Sequence, residues 1–211
     1  MKLLELLDLR DLNINQIEQR FEEIAKLLFR KCQIRKGKDI YDFLEIEFYY
    51  YIENHEDIIT YPRNMKRGKW FFHDSGIDIS FESKCDNINL SPKIRKPIKD
   101  YFGGILIRSL LKNGNEPITG PQKCTWSLFD YLDAFGNVDN NLPIIVECDI
   151  EKDSVVNKTN RYIPINEEKA KLRFENNHSV FTEHNEKLYR YYVKDAQWDE
   201  IKKSNYSARP W

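Results

Sequence analysis

The segment Asp42–Ile52, DFLEIEFYYYI, constrains the fold more than any other part of the chain. Read as a strand, it turns successive side chains to opposite faces. Tyr41, Phe43, Glu45, Glu47, Tyr49 and Tyr51 are then expected on one face, and Leu44, Ile46, Phe48, Tyr50 and Ile52 on the other. The second set is a core face. The first mixes acids with rings, a combination that a solvated strand face does not need. A ring-walled recess holding a carboxylate fits a nucleobase.

Helical and extended periodicities divide the remainder. Asn13 and Gln16 form a capping pattern, and Ile14, Ile17, Phe21, Ile24, Leu27 and Leu28 keep helical spacing up to Lys31. A basic turn, Arg35–Lys38, leads into the aromatic strand, and a polar stretch, Glu53–Asn64, follows it. Lys69–His73, Ile77–Ser83 and Phe102–Leu111 read as strands of one antiparallel sheet. A second helix is expected over Thr125–Phe135, a buried strand over Leu142–Cys148, a short helix over Asn166–Phe174 and a ring-rich strand over Leu188–Val193. Helices and strands do not alternate regularly, so the expected class is α+β: a single domain with an antiparallel β-sheet core flanked by helices. With 211 residues the chain can bury about 70% of its unfolded surface in one core. One domain over residues 1–211 is expected, with an N-terminal helix at 13–31, a core at 40–148 and a polar C-terminal region at 149–211.

The net charge of −1 gives the whole chain no attraction for phosphate or anionic lipid, so nucleic-acid contact would need local patches. Two runs qualify. Arg63, Lys66, Arg67 and Lys69 lie in one; Lys93, Arg95 and Lys96 lie in the other. Both interleave charge with apolar or aromatic residues, the pattern that serves phosphate contact and base stacking, although such runs are more often solvated loops. Arg108 differs, because it sits in the apolar run Gly104–Leu110, where an unpaired guanidinium is costly; it is expected to meet a carboxylate or a phosphate.

The four cysteines are far apart, with no Cys-x-x-Cys pair and no His at ligand spacing, so no metal is expected. Neither a Gly-rich phosphate loop nor a Gly-x-Ser-x-Gly elbow is present, and no cofactor is expected. Without an apolar leader or a run of about twenty apolar residues, a cytoplasmic monomer with no membrane partner is the expectation. Glu47 is a candidate general base, since a carboxylate walled by rings can activate water; Glu45 competes equally on periodicity. His55, close to the aromatic strand, is a candidate cleft residue.

The order of these motifs resembles the alkyladenine (3-methyladenine) DNA glycosylase family, the compact type without a helix-hairpin-helix. Ile24–Leu28 is similar to its early Leu-rich helix, Glu45-Ile46-Glu47-Phe48-Tyr49 to its Glu-Thr-Glu-Ala-Tyr strand, and Thr60–Asn64 to its Thr-Pro-Arg-Asn segment. Phe71–Gly76 resembles its Met-Phe…Pro-Gly stretch, Ile105–Leu110 its Val-Leu-Ile-Arg-Ala-Leu strand, Gly120–Lys123 its Gly-Pro-x-Lys helix start, and Tyr189–Lys194 its Trp-Arg-Phe-Tyr-Val strand. The likeness runs in one order from about residue 20 to about residue 200.

What the resemblance implies is a methylpurine-DNA glycosylase-like fold and hydrolysis of an N-glycosidic bond in DNA. Glu47 then takes the general-base role, Tyr49 stacks on the flipped base, His55 stands opposite, and Arg108 matches the arginine of the second strand. The family's Tyr-Val-Tyr strand and wedging tyrosine have no counterpart in Ile77–Ser83, which carries acids and serines instead. A catalytically inactive binding protein and a hydrolase of free nucleosides or nucleotides are the alternatives.

Overall fold

A computed structural model describes residues 2–89, 99–130, 142–161 and 186–193. The elements in order are α1 (Lys2–Leu6), α2 (Ile14–Lys31), β1 (Cys32–Lys36), β2 (Asp39–Ile52), β3 (His55–Glu56), β4 (Trp70–His73), β5 (Gly76–Ser80), β6 (Phe102–Lys112), β7 (Glu116–Thr119), α3 (Pro121–Leu128), β8 (Ile144–Glu147), β9 (Val156–Thr159) and β10 (Arg190–Val193). The described strands join in one curved antiparallel sheet, in the order β4-β5-β6-β2-β1-β8. β2 is its axis. Along one edge β2 pairs with β6, and along the other with β1, β10 and β3 in succession.

The N-terminal half follows the sequence reading. The Asn13 side chain accepts from the Gln16 amide and Gln16 returns the bond to the Asn13 N–H, so a capping box closes the first turn of α2. Its apolar stripe lies on the sheet. Phe21 stacks on Phe48 with centroids 4.4 Å apart, lies parallel to Phe81 at 6.0 Å, and meets Tyr189 edge-on at 5.1 Å. At its end α2 passes straight into β1, and Gly37, with φ 56°, supplies the left-handed residue of the tight β1–β2 turn.

Strict alternation fails at one point of β2. Phe43 faces Leu110 and Glu45 faces Ser109, leaving Leu44 unmatched; Ile46 then faces Ile107, leaving Arg108 unmatched. These two irregularities restore the register but exchange faces on both strands. Tyr41 and Phe43 therefore join Ile46, Phe48 and Tyr50 in the main core, not the acids as alternation predicts. Tyr51 stays on the acidic side, in a small cluster with Cys85 and Phe102.

Elsewhere the boundaries shift. The second helix begins at Pro121, a residue suited to the first helical position, and ends at Leu128; Trp126 on it is 66% exposed. Residues 131–135 of the expected helix, and the whole expected helix at 166–174, lie outside the described residues. The strand at Leu142–Cys148 is β8, at the edge of the described sheet, with Ile144 and Glu147 exposed rather than buried. An apolar run marks a strand without saying what covers it. No described helix is long and apolar enough to cross a membrane. No group of three or more His, Cys, Asp or Glu able to hold a metal occurs among the described residues.

Candidate functional site

The exchange of faces isolates Glu45 and Glu47 in the middle of the sheet, on the side away from α2. In the ladder Glu47 stands between Leu106 of β6 and Arg190 of β10, and its side chain is fully buried. Its Oε2 accepts from Tyr49 Oη at 2.6 Å and from Arg108 Nη1 at 3.0 Å. Its Oε1 lies 3.8 Å from Arg190 Nε and has no hydrogen-bond partner among the described residues. Glu45 is engaged on both oxygens: Arg190 donates to Oε1 and Ser109 Oγ to Oε2, the latter at 2.9 Å. Periodicity left the two acids equal. Hydrogen bonding separates them, because only Glu47 keeps an open acceptor.

A second ion pair closes the end of the site. Arg161, fully buried, donates to Asp57 Oδ2 at 2.6 Å and to the Phe48 carbonyl at 3.0 Å. Its guanidinium lies 4.9 Å from the Tyr49 ring centroid and 5.2 Å from that of Tyr189. Three carboxylates, of Glu45, Glu47 and Asp57, thus meet three guanidiniums, of Arg108, Arg161 and Arg190, which makes burial of so many charges tolerable. Burial, and then the Glu47 carboxylate, push the Tyr49 phenol well above its usual range, so it remains a donor at neutral pH. Burial works against the charge of Arg108, but Glu47, Glu45 and Tyr49 together outweigh it and raise the guanidinium further. The Arg108 side chain, 20% exposed, carries the cluster to the surface.

Of the residues singled out in the sequence, Glu47, Tyr49 and Arg108 come together. His55 does not touch them. It is buried, with Nδ1 2.8 Å from the Tyr50 carbonyl and Nε2 2.9 Å from Tyr189 Oη, so both ring nitrogens are occupied within the protein. Its links to the cluster are Tyr189, whose ring lies against Arg161, and its own carbonyl, which accepts from the Asp57 amide at 2.9 Å. Burial lowers its pKa from the usual value.

In the first basic run Arg63 is paired inside the fold, while Lys66 and Arg67 are paired at the surface. Arg63, expected to contact phosphate, is 2% exposed and donates to Asp78 at 2.7 Å from beneath the Phe71 ring. Lys66 reaches Glu82 at 3.2 Å and Arg67 reaches Asp8 at 3.4 Å, while Lys69 is exposed. Asp78 of β5 and Glu82 just beyond it take up Arg63 and Lys66, and Asp8 takes up Arg67. Lys93, Arg95 and Lys96 lie outside the described residues.

Arg161, Arg190 and Asp57 were not picked out in the sequence. Arg190 carried a usable signal: it stands between Tyr189 and Tyr191 in a ring-rich strand, the same argument that marks Arg108. Arg161, in a polar stretch, carried none.

No family model matches the chain, and no solved structure matches it. It is similar to an uncharacterized protein of Acanthamoeba polyphaga mimivirus, with 34% identity over 129 residues, covering 54% of this chain and 56% of that protein. The chain thus spans little more than half the length of this relative, whose description assigns it no activity.

Proposed function

We propose that this chain hydrolyses N-glycosidic bonds, as a divergent DNA glycosylase acting on a damaged or modified base. The observation that carries this reading is the asymmetry of Glu47. One oxygen is fixed by Tyr49 and Arg108, and the other is open to accept a proton from water. A carboxylate so held orients a water molecule and stabilises the positive charge that develops on the sugar as the bond to the base breaks. Tyr49 offers a ring for the extruded base, and stacking of this kind is worth about 1–3 kcal/mol. No covalent intermediate is required.

A second reading, hydrolysis of free nucleosides or nucleotides, is favoured by the engagement of Arg63, Lys66 and Arg67 with Asp78, Glu82 and Asp8. A duplex-binding face needs cations free to displace counterions.

The test is base release from a panel of alkylated, deaminated and hypermodified duplexes, with the matching nucleosides beside them. Release from a duplex, abolished by Glu47→Gln, supports the glycosylase. Release from nucleosides alone supports the second reading, and release from neither refutes both.

A further inference from the structure

Arg63 is held on three sides. Nε donates to the Tyr61 carbonyl at 3.2 Å, Nη2 donates to Asp78 at 2.7 Å, and the guanidinium lies 3.7 Å from the centroid of the Phe71 ring. Its Nη1 is buried and has no acceptor among the described residues. A donor immobilised in this way and left unsatisfied is costly, and such groups are commonly completed by a ligand or water.

Its position is informative. Nη1 rests on Gly104, where a Cβ would lie only 2.7 Å away, so the missing side chain is what admits the guanidinium. In the ladder Gly104 is directly opposite Tyr49, and Tyr49 is bonded to Glu47. An open donor on Arg63 and an open acceptor on Glu47 therefore flank Tyr49 on one face of the sheet. Asp78 cancels the charge of Arg63 and also meets His73 Nε2 at 2.9 Å, so a phosphate approaching Nη1 would face a carboxylate. An uncharged acceptor suits this donor better.

We infer that Arg63 determines specificity, donating from Nη1 to a carbonyl oxygen on the edge of a base stacked at Tyr49. This rests on the reading of the site as a base pocket. Its test is separate from base release: equilibrium binding of two free bases, hypoxanthine and purine, which differ in a carbonyl. The wild type is expected to bind hypoxanthine about 10- to 100-fold more tightly. In Arg63→Lys, which keeps a cation beside Asp78 but has no second nitrogen to present, the ratio falls to about 1. The paired change Arg63→Met with Asp78→Asn removes both charges together and gives the same ratio, which guards against misfolding of the single variant. Equal binding by the wild type, no binding of either base, or a ratio preserved in the variants overturns the role of Arg63. Base release by the wild type in any of those cases would leave the glycosylase reading standing.

Discussion

The two faces of β2 solve different problems. Under α2, Phe21, Phe48 and Phe81 lie nearly parallel, and these rings gain stability by leaving water. On the opposite face, ion pairs are buried with almost the same completeness, as in Arg63 with Asp78 and Arg190 with Glu45. Apolar packing would have covered that second face at lower cost. Under the proposed function, a fold that instead buries three carboxylates and three guanidiniums and leaves one Glu47 oxygen open bears that cost for chemistry rather than for stability.

The contrast can be broken by truncation. Phe21→Ala on the core face is expected to cost about 3–5 kcal/mol in urea unfolding, through lost transfer energy and a cavity that no second substitution refills. Arg190→Met on the charged face is expected to cost about 3–5 kcal/mol as well, because Glu45 is left buried without its main partner. Here the cost is recoverable: adding Glu45→Gln should return the protein to within about 1–2 kcal/mol of wild type. If Arg190→Met alone is silent, the charged face is not the buried network described.

Smaller changes sharpen the picture. Tyr49→Phe keeps the ring and removes one donor to Glu47, so stability should fall by about 0.5–1.5 kcal/mol. Base release should fall with it by roughly tenfold, seen as a loss in kcat rather than in binding. An unchanged kcat would show that the hydroxyl does not orient Glu47.

The smallest effect concerns pH. His55 is held below its ordinary value of 6.5 by burial, so on acidification the unfolded chain takes up the proton first. Its contribution is full above about pH 6.5 and is lost as pH falls below it, by at most ~1.4 kcal/mol per pH unit. His55→Gln should flatten the change in urea midpoint between pH 7 and pH 5.5. An undiminished slope would assign it to other groups.

Much of the core face was legible in the sequence. The capping box at Asn13, the stripe of α2 and the strands β2, β5 and β6 rest on local chemistry that periodicity reads directly. The bulge at Leu44 was not legible, since nothing in the residues themselves announces an unmatched position, and so Tyr41 and Phe43 were expected on the wrong face. Glu47 and Arg108 stand out as charges in apolar strands, and the same logic marks Arg190 between Tyr189 and Tyr191. Arg161 and Asp57 meet across 104 residues of chain, a pairing that depends on tertiary closure alone.

The proposed hydrolysis turns on the open oxygen of Glu47. Single-turnover base release by wild type and Glu47→Gln, with urea unfolding measured on the same preparations, tests it most directly. A loss of about 100-fold or more in release, with the variant still folded, is the predicted result. Release by the variant at the wild-type rate, or no release by the wild type from any duplex or nucleoside, would contradict it.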